Sequence, residues 1–325
     1  MNDNGENSQI ISLVKEKIRK GKYKEALLEL DEIIKDNISL AIAYNQRGLV
    51  HNKLRNNQKA LLDFAKAIKN NPNLSDAYKN RGNIYSKMKK NKEAISDYSK
   101  AIEINPRLAG VYNNRGIAKE KMGDIDGAFN DYTKAIEINP RFSSPYSNRG
   151  VLKDLRDDDD GAIKDYDQAI NLNPNFASAY NNRGILLEKK ERYQEAILDF
   201  SKAIKIFPRF ADAYNNRGIS RIQIDQVDLA YEDFSKSIEL SPKFATPYLN
   251  RGILQKNQNK YKEAIKDFDN AISINPKFAN AFYHRGVLKH KTNEVSEAKI
   301  DLNKSMDLGH SKAKEQLAEI NKYDE

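Results

Sequence analysis

The hexapeptide AYNNRG occupies Ala179–Gly184 and returns at Ala213–Gly218. Relatives of it, AYNQRG, AYKNRG, VYNNRG, PYSNRG, PYLNRG and AFYHRG, end at Gly48, Gly82, Gly116, Gly150, Gly252 and Gly286. Each glycine follows the last by 34 residues, without a slip. A period of that length belongs to a stacked array, because a single unit is too short to bury an apolar face alone.

With the glycine set at position 8, eight units run 41–74, 75–108, 109–142, 143–176, 177–210, 211–244, 245–278 and 279–312. Position 20 is alanine in all eight, from Ala60 to Ala298. Position 24 is Phe64, Tyr98, Tyr132, Tyr166, Phe200, Phe234, Phe268 and Leu302, and position 27 is Ala or Ser throughout. Positions 4, 8 and 11, and again 20, 24 and 27, follow the spacing of one helix face, so each unit is predicted to be two helices. Turn residues such as Asn56, Asn57, Gly123 and Asp124 separate them. Proline at position 32, Pro72 to Pro276, ends the second helix by forcing its predecessor out of the α region. Glycine at 8 and alanine at 20 let the two helices approach closely.

This pattern resembles the tetratricopeptide repeat over residues 41–312. The resemblance implies an all-α fold, a right-handed α-solenoid superhelix of antiparallel helix pairs. Residues 7–40 keep the phase through Ile10, Leu13, Ala26 and Leu30 without the signature, and read as a divergent first pair. Residues 313–325 read as a capping helix and tail, which solenoids need at an exposed end. Residues 1–6 are expected to be disordered, and the departures at both ends suggest that the array begins and ends here.

Each residue of a helix turns by about 100°. With position 4 at zero, position 6 falls at about 200°, away from the core of its own pair. It reads Gln46, Asn80, Asn114, Asn148, Asn182, Asn216, Asn250 and His284. The resemblance implies that first helices line the groove of the superhelix, so these side chains form a ladder there. An amide both donates and accepts, and so matches the N–H and C=O of a peptide. A similar ladder occurs in the superhelix of O-linked N-acetylglucosamine transferases, whose catalytic domain has no counterpart here. Two readings stay open: a grip on an extended peptide, or amides that are solvated or bridge neighbouring repeats. Six amide contacts at roughly 0.5–1.5 kcal/mol each are weak beside an ordering cost of about 4–15 kcal/mol. Side-chain contacts must add to them.

Position 9 offers Leu49, Ile117, Val151, Ile185, Ile219, Ile253 and Val287, interrupted by Asn83. These form an apolar strip, or else pack between adjacent first helices. Position 13 offers Lys53, Lys87, Lys121, Lys189 and Lys291, a column that favours an acidic partner segment. Arginine at position 7 and aspartate at position 23 are present in all eight units. A cation near the core wants a carboxylate, so the expectation is an Arg–Asp pair within or between repeats.

Some tetratricopeptide domains clamp a C-terminal carboxylate. Lys79, Asn83 and Asn114 match the first part of that motif, but Ser144 and Asn148 stand where its second set of cations belongs. The run Asp157–Asp160 fails as a calcium loop, since Arg156 takes the first ligand position, and reads as a solvated turn. His51, His284, His290 and His310 lack metal-ligand spacing, and no catalytic motif or cofactor site is seen.

The chain has 325 residues, no cysteine, 39% hydrophobic and 31% charged residues, and a net charge of +9. The apolar share is low, as befits an elongated molecule with a thin core. No apolar run is long enough to enter a membrane, and a cytoplasmic location is the expectation. The function expected is a non-enzymatic scaffold that holds an extended segment of another protein. Single-stranded RNA binding, disfavoured because the charges left once the Arg and Asp columns cancel are spread widely along the chain, and self-assembly are the alternatives.

Overall fold

The structure is a computed structural model that describes residues 3–37 and 40–322. All regular elements among them are helices. The chain divides into two units, Met1–Leu172 and Asn173–Glu325.

The first unit holds α1 (Asp3–Arg19), α2 (Tyr23–Lys35), α3 (Leu40–Lys53), α4 (Asn57–Asn70), α5 (Ser75–Lys87), α6 (Asn91–Ile104), α7 (Ala109–Glu120), α8 (Ile125–Ile138), α9 (Ser143–Asp154) and α10 (Asp159–Leu172). The second holds α11 (Ala177–Lys189), α12 (Tyr193–Ile206), α13 (Ala211–Gln223), α14 (Val227–Leu240), α15 (Ala245–Asn257), α16 (Tyr261–Ile274), α17 (Ala279–Lys291), α18 (Val295–Asp307) and α19 (Ala313–Lys322). From α5 to α17 every first helix starts at position 1 of its 34-residue period, and from α4 to α18 every second helix starts at position 17.

The turn between paired helices passes through a left-handed residue at position 15. It is Gly123 once, and otherwise Arg55, Lys89, Asp157, Glu191, Asp225, Asn259 and Asn293, with φ between 58° and 69°. The residue after it caps the second helix in three pairs. Asn56, Asp124 and Asp158 accept from the backbone N–H three residues on, at 3.1, 2.9 and 3.0 Å. The Asp157–Asp160 run is thus a turn and a cap. At the far end, the asparagine before proline accepts from the N–H two residues on, as in Asn105 to Arg107 and Asn275 to Lys277, both 3.1 Å. That Asx turn closes the helix that proline stops.

Within each pair the position-8 glycine faces the position-24 ring. A Cβ on Gly48 would lie 2.6 Å from Phe64, and one on Gly184 would lie 2.7 Å from Phe200. The position-20 alanines and position-24 side chains are fully buried. Positions 3 and 10 are buried too, as in Ala43, Ala77, Ile84, Leu152, Ala179 and Leu288. At about 100° per residue, positions 3 and 10 lie roughly a quarter-turn or more from the face that position 4 turns to the pair's own core. They are buried because a first helix also packs on the preceding second helix, as α5 does on α4 and α13 on α12.

In each unit successive first helices touch, α3 with α5, α5 with α7, α7 with α9, and α11 with α13 through to α17. Among the described residues, successive second helices do not meet in this way. Each unit therefore curves towards its first helices.

α1 and α2 form the divergent first pair, with Val14, Ala26 and Leu30 buried. α1 starts at Asp3, inside the stretch expected to be disordered; residues 1–2 lie outside the described residues. α19 packs on α17 and α18 through Leu317 and Ile320. Residues 38–39 and 323–325 are likewise outside the described set.

Candidate functional site

Arginine at position 7 settles how one pair is joined to the next. In all eight units its Nε and Nη2 donate to both carboxylate oxygens of the position-23 aspartate, at 2.6–2.9 Å. In six units the third nitrogen reaches back to position 25 of the preceding pair; for Arg81 that position is Ala65, which offers no side-chain acceptor. Arg115 Nη1 donates to Ser99 Oγ at 3.0 Å, Arg149 to Thr133 at 3.3 Å, Arg217 to Ser201 at 3.0 Å and Arg251 to Ser235 at 3.0 Å. Arg47 and Arg285 meet Asp31 and Asp269 in the same way, each at 2.6 Å. The hydrogen bonds to Asp165 hold the Arg149 pKa above its ordinary value. In seven units the guanidinium also sits over the position-4 ring, 5.8 Å from the centroid for Arg149 and Tyr146, while Arg251 lies over Tyr231. The arginine is thus structural both within and between repeats. Position 25 gave only a weak signal in the sequence, a column of small polar or acidic residues broken by Ala65.

The amide column is also joined to its neighbours. Asn80 Nδ2 donates to Asn45 Oδ1 at 3.0 Å, Asn148 to Asn113 at 3.0 Å, Asn216 to Asn181 at 3.2 Å and Asn250 to Asn215 at 2.9 Å. Each bond runs from position 6 of one first helix to position 5 of the one before. Where position 5 is Lys79, Asn114 turns instead to Asn83 Oδ1 at 3.1 Å. Position 5 was not singled out by the sequence. Asn45, Asn113, Asn181 and Asn215 are buried there, and so are the ladder residues Gln46 and Asn80. Asn114, Asn148, Asn182, Asn216 and Asn250 are half-buried on the face of the first helices. An amide carries two N–H groups, and the bridge uses one. The bridge also fixes the rotamer, so the remaining groups point in a set direction.

His284 replaces the amide in the last unit. It stacks on Phe268 at 6.1 Å, and burial lowers its pKa to about 4, with help from the charges of Lys256 and His310.

Position 9 mostly packs inward. Leu49, Ile117, Ile219, Ile253 and Val287 are half-buried against the cores of their pairs. Ile185 is 42% exposed. Lys53, Lys87, Lys121, Lys189 and Lys291 are all exposed at position 13.

These columns converge on a recess of about 330 Å³ across α3, α5 and α7. Its wall includes Leu49, Asn80, Asn83, Lys87, Asn114 and Ile117. Asn83 in that wall accepts from Tyr98 Oη at 2.9 Å and from Asn114 Nδ2 at 3.1 Å. The one polar residue in the position-9 strip thus replaces an apolar contact with a hydrogen-bonding floor. Among the described residues, no group of three His, Cys, Asp or Glu side chains could hold a metal ion. No described helix is long and apolar enough to cross a membrane.

Tetratricopeptide repeat families match residues 12–75, 75–108, 109–142, 177–210, 211–244 and 245–278, and a TPR repeat family matches 156–191. The chain belongs to the tetratricopeptide repeat family. Among solved structures, this repeat protein is similar to a tetratricopeptide repeat protein from Parabacteroides merdae, at 22% identity and TM-score 0.58, over 76% of this chain and 98% of that one. It is similar to Cut9–Hcn1 of the APC/C, at 15% identity and TM-score 0.64, over 91% of this chain and 58% of that one. YrrB, described as a TPR protein with an unusual peptide-binding site, is 28% identical over 55% of this chain and 93% of its own, with TM-score 0.46. The first two likenesses show the fold. Comparison with curated proteins gives no match.

Proposed function

We propose that this tetratricopeptide protein is an interaction scaffold that holds an extended segment of another protein along the face of its first helices. The observation that carries this is the recess at α3, α5 and α7, where amides, an ammonium group and apolar side chains meet on one wall. Such a mixture suits a peptide, whose backbone wants amides and whose side chains want apolar or charged contacts. In this reading the ladder has two uses. The inter-repeat bonds hold Asn80, Asn114, Asn148, Asn216 and Asn250 in place, and their remaining polar capacity serves the ligand. Amides already fixed lose little freedom on binding, which offsets part of the ordering cost. Lys53, Lys87, Lys121 and Lys189 stand beside them and favour an acidic segment. Ile185 is the position-9 residue that adds apolar contact; Ile219 is largely committed to the core.

Peptides selected from a random-sequence display library against the full chain provide the test, followed by hydrogen–deuterium exchange. Protection of α3, α5 and α7 is expected. Protection confined to the second helices, or preferential selection of single-stranded RNA with steep salt dependence, would overturn the reading.

A further inference from the structure

Positions 12 and 13 border the same recess. At its wall stand Asn52 and Lys87, and the Lys87 ammonium donates to Asn52 Oδ1 at 3.4 Å. The regular backbone repeats this juxtaposition along each unit. The pair becomes Ser86 and Lys121, then Glu120 and Leu155; in the second unit it is Glu188 and Gln223, then Ile222 and Asn257. At α15 and α17, which pack directly, it becomes Lys256 and Lys291. In the same place His284 stands for Asn80 and His290 for Ser86.

Two ammonium groups so placed repel one another. Lys256 is half-buried, and its pKa is lowered first by burial and then by the charge of Lys291. Lys291 lies over the Tyr261 ring at 5.0 Å. Elsewhere this protein pairs its half-buried lysines: Lys119, Lys153 and Lys289 each reach an aspartate at 3.0 Å. Among the described residues, no carboxylate pairs with Lys256 or Lys291. His284 is close enough to Lys256 to feel its charge, and its Nδ1 is buried with no hydrogen-bond partner. Neighbouring arginines Arg251 and Arg285 are committed to Asp267 and Asp301. The cluster therefore lacks the counter-charge that the rest of the fold supplies, and it faces the side on which the amide column ends.

We infer that Lys256, His284 and Lys291 form an anion seat for a side-chain carboxylate of the bound segment. The inference rests on the scaffold reading above and adds an acidic residue to the partner at the α15–α17 end. A carboxylate is the anion assigned, because in an unmodified peptide segment the anionic side chains are those of Asp and Glu.

The test uses the full chain and fluorescein-labelled ten-residue peptides of alternating Glu-Gly or Gln-Gly, read by fluorescence anisotropy at low salt. The glutamate peptide is expected to bind at least tenfold more tightly. The double variant Lys256→Gln, Lys291→Gln should remove that preference. Lys202→Gln with Lys205→Gln on α12 removes the same charge and should leave binding within twofold. Equal binding of both peptides, or equal weakening by the two double variants, would overturn the seat. So would a phosphoserine-Gly peptide binding tenfold more tightly than the glutamate one. An independent readout is the His284 Cε1–H resonance in the unaltered protein, which should shift with the glutamate peptide and stay still with the glutamine one. Selected peptides that protect the first helices with no preference for glutamate defeat the seat alone. Absence of any such protection defeats the scaffold reading itself.

Discussion

Arg149 Nε and Nη2 each lie 2.8 Å from one carboxylate oxygen of Asp165, while Nη1 reaches Thr133 of the preceding pair at 3.3 Å. One guanidinium thus joins its own hairpin and fastens that hairpin to its neighbour. Asp165 is buried and also meets Lys153 at 3.0 Å. Removing Arg149 would leave a poorly solvated carboxylate with one partner fewer.

Arg149→Ala and Asp165→Ala are expected to be non-additive, with a coupling above about 1 kcal/mol in a denaturant double-mutant cycle. The single Arg149→Ala change should cost about 1–3 kcal/mol, since Asp165 loses two hydrogen bonds but keeps Lys153. Arg149→Lys should not restore the loss, because lysine cannot fork. Additive single changes would show that the two residues act independently.

Gly184→Ala is expected to destabilise by roughly 1–3 kcal/mol through overpacking against Phe200. The added methyl would stand 2.7 Å from the ring. Phe200→Ala, which removes the ring, should make Gly184→Ala less costly when the two are combined. Gly110, where a Cβ meets nothing within 4 Å, is the control. Thermal and urea unfolding of the three variants check this.

Glu191 holds φ at 58° without being glycine. Glu191→Gly is expected to raise stability by about 1 kcal/mol, because the left-handed region costs an ordinary residue that much. The reverse change at the equivalent turn, Gly123→Ala, should lower it by a similar amount. Denaturation midpoints moving in the same direction would count against the turn argument.

Asn216→Ala should cost about 1–3 kcal/mol even with no partner present, since it strands the buried Asn181 oxygen. A purely solvent-facing asparagine would change stability by no more than about 0.5 kcal/mol. Urea unfolding of the isolated protein separates these outcomes.

His284 titrates near 4 in the folded chain against 6.5 for an ordinary histidine. Its folded-state pKa is depressed, so between those values the unfolded chain binds the extra proton. Stability attributable to it is therefore whole above pH 6.5 and falls as pH drops towards 4, by at most about 3 kcal/mol. His284→Asn, which restores the ladder residue, should flatten that part of the profile. Comparing the two proteins by denaturant unfolding at pH 4.5 and 7.5 isolates this group from the others. Parallel profiles would show that His284 charges without penalty.

The sequence by itself determined the pairs of helices, the turns and prolines that separate them, and their inner faces. Glycine at 8, alanine at 20 and the ring at 24 meet within one hairpin, so a 34-residue period and a helical wheel are enough to place them. The Arg–Asp partnership was legible for the same reason, lying only 16 residues apart in every copy. What the tertiary structure decided was everything set by the next pair in the stack. A wheel centred on position 4 knows one neighbour, whereas a first helix packs against its own partner, the preceding second helix and adjacent first helices. That is why positions 3 and 10 are buried, why position 25 holds the arginine's third nitrogen, and why the ladder amides bond to position 5. The same stacking sets Lys256 beside Lys291, residues 35 apart whose meeting no single repeat could reveal.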